Sequence, residues 1–231
     1  MTGMDDRGGG PRGEGGGGAG ARCWREAVLY GILDTGYLEA GGFPAAADEL
    51  IKGGAGLLQI RAKGQPASAV EALARAVLPV TRGTGVPLIL NDYPRLAADL
   101  GCDGVHVGQE DEAVARAREV MGAGAIVGKS THSLEQAEAA AAEGADYIGF
   151  GPLFATPTKP GRPAIGLRDI GDVHRRVTIP IFCIGGIKTS NLDGVVAAGA
   201  RRVVIVSEML QSAGREAYAA RVVRRLTGRG E

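Results

Sequence analysis

From Ala27 onward, short apolar runs of strand character alternate with longer Ala/Glu/Arg-rich segments of helical character. The runs predict strands near residues 28–33, 57–61, 87–91, 104–107, 126–130, 147–150, 181–184 and 202–206. The segments that follow them predict helices over 45–52, 68–80, 94–100, 112–121, 134–143, 167–176, 190–198 and 216–226. Local signals mark several boundaries. Pro94 stands where a first helical residue would be, Ser133 and Gln136 have capping-box spacing, and Gly144 and Gly199 follow helices as stops. Eight strand–helix units favour an α/β fold, a single-domain (β/α)8 TIM barrel, over an open doubly wound sheet. The absence of Gly-x-Gly-x-x-Gly after the first strand also counts against a dinucleotide fold. In such a barrel, functional side chains belong at the C-terminal ends of the strands.

Composition narrows this picture without changing it. A chain of 231 residues with 45% hydrophobic residues can bury one substantial core. Basic and acidic residues balance at 26 each, so no overall field points to nucleic acid. The three cysteines are scattered, lack Cys-x-x-Cys spacing and fit a reducing, cytoplasmic setting. Residues 1–22 are dominated by glycine and lack an apolar signal region, so they read as a disordered tail before a barrel domain over 23–231. No apolar run approaches the ~20 residues needed to span a bilayer.

The strand ends carry the candidate chemistry. Strand periodicity puts Gln59, Arg61 and Lys63 on one face and Leu58, Ile60 and Ala62 on the other. Inward-facing Arg and Lys are costly unless an anion meets them. Asn91 and Asp92 end the third strand, and Asp111 lies just beyond the fourth. Each aspartate could cap the helix that follows, or the pair could serve a Mg²⁺ ion completed by substrate phosphate. His106, inside the fourth strand, reads as a packed or hydrogen-bonded core histidine. Ser130 ends the fifth strand, with no hydrolase pattern around it. Residues 147–166 join a buried strand to a Pro-rich loop that carries Thr156, Thr158 and Lys159. Gly186 and Ser207 end the seventh and eighth strands, where barrels usually hold phosphate. Two anion sites on one face are expected, one cationic and metal-assisted, the other a neutral cradle. Together they suit a diphosphate leaving group and a phosphorylated acceptor.

In order and spacing, Gln59-x-Arg61-x-Lys63, Asn91-Asp92, the run from Gly104 to Asp111, Ser130-Thr131-His132, Thr156-x-Thr158-Lys159, Ile184-Gly185-Gly186-Ile187 and Val206-Ser207 resemble the thiamine-phosphate synthase family over about residues 27–212. The resemblance implies a (β/α)8 transferase of thiamine biosynthesis that joins hydroxymethylpyrimidine diphosphate to thiazole phosphate with Mg²⁺. It places Gln59, Arg61, Lys63, Asn91, Ser130 and Lys159 on the pyrimidine diphosphate, with Arg61, Lys63, Lys159 and Ser130 as the catalytic set. Thr156, Thr158, Gly186, Val206 and Ser207 would hold the thiazole phosphate, and Asp92 and Asp111 the metal. The family mechanism is dissociative, so charge stabilisation matters more than proton transfer.

Three features depart from the family pattern: the glycine-rich tail, Lys129 beside Ser130, and Glu208 after Ser207. Lys129 would bind diphosphate or face a helix; Glu208 is expected to point away from the phosphate cradle. Two other readings compete. A thiazole tautomerase on the same barrel would use His132 as acid and base, and a non-catalytic barrel would only bind thiamine phosphates. The retained diphosphate residues argue against both. A homodimer is compatible with the sequence, although no periodic interface pattern demands one.

Overall fold

The computed structural model describes residues 24–111, 113–156 and 163–228. The glycine-rich segment 1–22, together with Thr158 and Lys159, therefore lies outside the described residues. Eight parallel strands close into a barrel in sequence order. They are β1 (Leu29–Asp34), β2 (Leu57–Arg61), β3 (Leu88–Asn91), β4 (Gly104–Val107), β5 (Ile126–Thr131), β6 (Tyr147–Phe150), β7 (Ile181–Cys183) and β8 (Val203–Val204). The surrounding helices are α1 (Phe43–Lys52), α2 (Ala67–Thr81), α3 (Pro94–Leu100), α4 (Val114–Met121), α5 (Leu134–Ala142), α6 (Ile170–Arg176), α7 (Leu192–Ala197), α8 (Ser207–Leu210) and α9 (Arg215–Thr227). None of the helices in the described residues is long and apolar enough to cross a membrane.

The expected barrel is present, and its boundaries shift by a few residues for local reasons. Pro94 opens α3, and Gly144 and Gly199 adopt positive φ just beyond α5 and α7. Ser133 caps α5 by accepting from the Gln136 backbone N–H. The reciprocal bond is displaced by one residue, because the Gln136 side chain accepts from His132 N at 2.8 Å. The predicted strand over 202–206 shortens to β8, because Val206 leaves the extended region and becomes the N-cap of α8. That four-residue helix is absent from the sequence reading: it is too short to carry a period.

Alternation along each strand divides the interior into two layers. Leu29, Leu33, Leu58, Ile60 and Val105 point outward and pack under the helices. Tyr30, Ile32, Leu57, Ile89, Tyr147, Phe182 and Val204 point inward and fill the barrel. The inner aromatics meet edge to face, with Tyr30 and Tyr147 centroids 5.5 Å apart and Tyr147 and Phe182 centroids 5.7 Å apart. Gly128 makes this layer possible. A Cβ there would overlap Tyr147 Cζ, so only glycine lets the Tyr147 ring cross β5.

Candidate active site

The inward positions at the C-terminal ends of the strands line two neighbouring hollows. The central one is open at its mouth and is bordered by Gln59, Arg61, Asn91, Ser130, Thr156, Gly186, Val206 and Ser207. The second is bordered by Arg61, Lys63, Asn91, Asp92, the segment from Gly108 to Asp111, and Ser130. Arg61, Asn91 and Ser130 border both, so a ligand could extend across them.

The anion expected to meet Arg61 is supplied first by the protein. Strands β1 and β2 pair so that Asp34 lies opposite Arg61, and Arg61 Nη1 donates to Asp34 Oδ2 at 2.7 Å. Asp34 also accepts from Gly36 N at 2.8 Å, which fixes the carboxylate. The sequence reading missed Asp34, because the predicted first strand stopped one residue short of it.

Lys63 forms an ion pair with Asp92. Asp92 is the only non-glycine residue with positive φ among the described residues, at 68°. Such a backbone costs roughly 1–2 kcal/mol, and it aims the carboxylate at the second hollow instead of at α3. The capping readings of both aspartates give way. The N-caps of α3 and α4 are Tyr93 and Ala113, and neither makes a side-chain cap bond. Asp111 instead accepts from Gly108 N at 2.7 Å within its own loop. Gln109, another residue the sequence reading did not single out, donates to Ser130 O at 2.6 Å and ties that loop to β5. Burial raises the Asp92 carboxyl above its ordinary range; Lys63 opposes that shift, and the neighbouring Asp111 carboxylate adds to it.

On the opposite side, Gly185 and Gly186 have φ of 99° and 64°. A Cβ on Gly185 would overlap Pro152 Cα, so the turn accepts no larger residue there. Asn191 locks the turn by donating to Gly186 O at 3.0 Å. Glu208 points away, accepting from Thr189 N at 3.0 Å and Thr189 Oγ1 at 2.5 Å, so it adds no carboxylate to the cradle. Lys129 faces the helical layer and pairs with Glu143 at 2.6 Å. His132 borders the central hollow with Nδ1 on the Gly151 carbonyl.

His106 is buried and hydrogen-bonded, with Nε2 2.9 Å from Ser130 Oγ and Nδ1 3.1 Å from the Tyr147 hydroxyl. The Tyr147 hydroxyl lies 2.8 Å from that of Tyr30, which receives the Gln59 amide nitrogen at 2.6 Å. The sequence does not show that Tyr30 and Tyr147 meet, since periodicity does not reveal hydroxyls that approach across 117 residues of sequence.

Comparison with known proteins agrees with this geometry. Residues 29–209 match the family TMP-TENI, described as thiamine monophosphate synthase. A thiamine-phosphate synthase of Thermus thermophilus is 44% identical over 182 residues, covering 78% of this chain and 87% of that protein. One of Roseiflexus castenholzii is 44% identical over 168 residues, covering 72% and 74%. One of Gloeobacter violaceus is 46% identical over 154 residues, 67% of this chain but only 45% of its own length. Among solved structures, thiamine phosphate pyrophosphorylase from Pyrococcus furiosus superposes with a TM-score of 0.77 at 28% identity, covering 89% of this chain and 98% of that one. A match over most of the described barrel, joined to relatives of this similarity, shows that the chain belongs to the thiamine monophosphate synthase family.

Proposed function

We propose that this barrel is a transferase that condenses hydroxymethylpyrimidine diphosphate with thiazole phosphate, giving thiamine phosphate and diphosphate. The observation that carries the reading is the pair of joined hollows: one is bordered by the carboxylates of Asp92, Glu110 and Asp111 and by two cations, and the other, beyond the shared Arg61, has a neutral backbone and hydroxyl wall. Gln59, Asn91 and Ser130 would hold the pyrimidine end at the junction. Arg61 and Lys63, with Lys159 from the loop outside the described residues, would receive the diphosphate. Thr156, Gly186, Val206 and Ser207, with Thr158 from the same loop, would hold the thiazole phosphate.

The chemistry then needs little proton transfer. The bond between the pyrimidine methylene carbon and the diphosphate oxygen breaks, its electron pair leaving with the diphosphate. The thiazole nitrogen lone pair forms the new C–N bond. Arg61, fixed by Asp34, would set its positive charge against the charge that grows as the diphosphate departs. Preorganised donors do not have to reorient during the step.

Asp92 and Asp111 fit a Mg²⁺ ion. They are neighbouring carboxylates, and the Asp111 charge opposes ionisation of Asp92, a conflict that a divalent cation relieves. Among the described residues no group of three or more His, Cys, Asp or Glu converges, so phosphate oxygens of the substrate would complete the shell. When bound, the ion would neutralise diphosphate charge. The buried, unpaired thiols of Cys102 and Cys183 support a cytoplasmic setting, and a homodimer is compatible because the assigned roles need no second copy.

Purified protein incubated with both substrates and Mg²⁺ is expected to form thiamine phosphate, detected as fluorescent thiochrome after oxidation, and to stop when EDTA is added. No product under these conditions would overturn the proposal.

A further inference from the structure

The two walls of the neutral cradle come from different strands, and the sheet stops short of both. Strands β7 and β8 pair at Cys183 and Val203, whereas Gly186 and Ser207 lie beyond the ends of those strands. The ladder therefore does not set the spacing between the walls. On its other side the Gly185-Gly186 turn is tied to the segment after β6: Leu153 N donates to Ile184 O at 2.9 Å, and Phe154 N donates to Gly185 O at 3.0 Å.

Toward β8 the link is made by side chains. Glu208, the residue after Ser207, accepts from Thr189 N at 3.0 Å through Oε2 and from Thr189 Oγ1 at 2.5 Å through Oε1. The segment that carries Thr189 is fastened in turn to the glycine turn. Asn191 Oδ1 accepts from Lys188 N at 2.8 Å, and Asn191 Nδ2 donates to Gly186 O at 3.0 Å. Asn191 stands at the N-cap of α7 but makes no side-chain cap bond there, because its amide faces back to the turn. Side-chain bonds thus connect the residue after Ser207 with the carbonyl of Gly186. A carboxylate in this place also has a cost, since its charge opposes a phosphate bound nearby. Glu208 is one of the features that depart from the family pattern, so a compensating role has to come from its bonds.

We infer that Glu208 is a positioning residue: through Thr189 it braces the Ser207 wall of the cradle against the Gly186 wall, with Asn191 completing the link. The brace holds the donors of both walls at a fixed spacing around one phosphate group. This rests on the reading in which Gly186 and Ser207 hold the thiazole phosphate. Setting the spacing before the ligand arrives removes an ordering cost from binding. The effect belongs to the phosphate acceptor alone, because the pyrimidine diphosphate residues lie on β2, β3 and β5 and on the loop after β6.

The test compares Glu208→Ala, which removes both bonds, with Glu208→Gln, whose amide can accept from Thr189 N and donate to Thr189 Oγ1. In steady-state kinetics Glu208→Ala is expected to raise KM for thiazole phosphate about fivefold, the scale of one net hydrogen bond, with KM for the pyrimidine diphosphate unchanged. Glu208→Gln should stay near the wild type. Thr189→Ala should raise the same KM, and adding it to Glu208→Ala should have no further effect, because the two residues share one contact. Thr189 is exposed, so its variant serves if Glu208→Ala does not fold. An unchanged KM for thiazole phosphate in Glu208→Ala would overturn the brace, and a lower one would show that the carboxylate acts by repulsion instead. Equal rises for both substrates, or a Glu208→Gln as impaired as Glu208→Ala, would overturn it too. Inorganic phosphate, titrated at constant ionic strength and followed at the Gly186 and Ser207 amide resonances, reads the brace without turnover. Its half-saturation should rise about fivefold in Glu208→Ala, and an unchanged value would contradict the inference. A brace seen in this titration in a protein that forms no thiamine phosphate would sink the proposed reaction and leave the brace standing.

Discussion

Arg61 shows how a single residue's chemistry depends on a neighbour that its own sequence motif does not contain. Its guanidinium lies at the border of both hollows and is held by the nearly inaccessible Asp34 at 2.7 Å. A buried ion pair of this kind adds little net stability, but removing one partner strands the other charge. Asp34→Asn keeps the shape and loses the charge. It is expected to lower unfolding free energy by about 3 kcal/mol in chemical denaturation, the lower end for a broken buried pair. Turnover should fall by roughly tenfold or more, because Arg61 is no longer held toward the departing diphosphate. Unchanged stability and turnover would show that Asp34 does not position Arg61.

At the scale of elements, β5 is built around a missing side chain. Register places Gly128 beside His106 on β4 and Tyr147 on β6, and the Tyr147 ring occupies the space a Cβ would need. Gly128→Ala should therefore destabilise the barrel by about 1–3 kcal/mol, as overpacking does, and separate the Tyr147 hydroxyl from His106. Thermal unfolding measures the first effect, and the His106 ring resonances the second; a variant with wild-type values in both would refute this packing argument. Much of the element pattern was legible because period-two alternation is strong where one face meets helices: α3, β4 and β6 begin and end where the sequence places them. The polar face of β2 was legible for the same reason. Asp34, Gln109 and the Tyr30–Tyr147 contact were not. Their partners come from other strands or loops, and periodicity reports which face a side chain takes but not what it meets there. Helix α8 was hidden by its length, and the two loop residues Thr158 and Lys159 keep their roles from family resemblance alone.

At the scale of the whole molecule, the two ends of the barrel behave differently. The C-terminal end gathers the ligand-facing groups, whereas His174 on α6 lies near Arg201 and Arg202 beside the loop that enters β7. Burial first, and then the two arginines, lower the His174 pKa from 6.5 to about 4. Between those values the unfolded chain takes up a proton that the folded barrel refuses. Stability from neutral His174 is therefore complete above pH 6.5 and is lost as pH falls toward 4. Denaturant midpoints measured from about pH 7 to 4 should fall less steeply in His174→Gln than in the wild type; parallel curves would exclude this residue as a source of acid sensitivity. The central claim is that the two hollows divide the labour, and it is tested most directly by comparing the steady-state kinetics of Asp111→Asn and Ser207→Ala. Asp111→Asn should raise the Mg²⁺ requirement and cut turnover by about 100-fold, the scale of losing a charge-stabilising group, with KM for thiazole phosphate unchanged. Ser207→Ala should raise KM for thiazole phosphate and leave the Mg²⁺ requirement and KM for the pyrimidine diphosphate as they are. Variants that shift both substrates together, or that exchange these effects, would contradict the division.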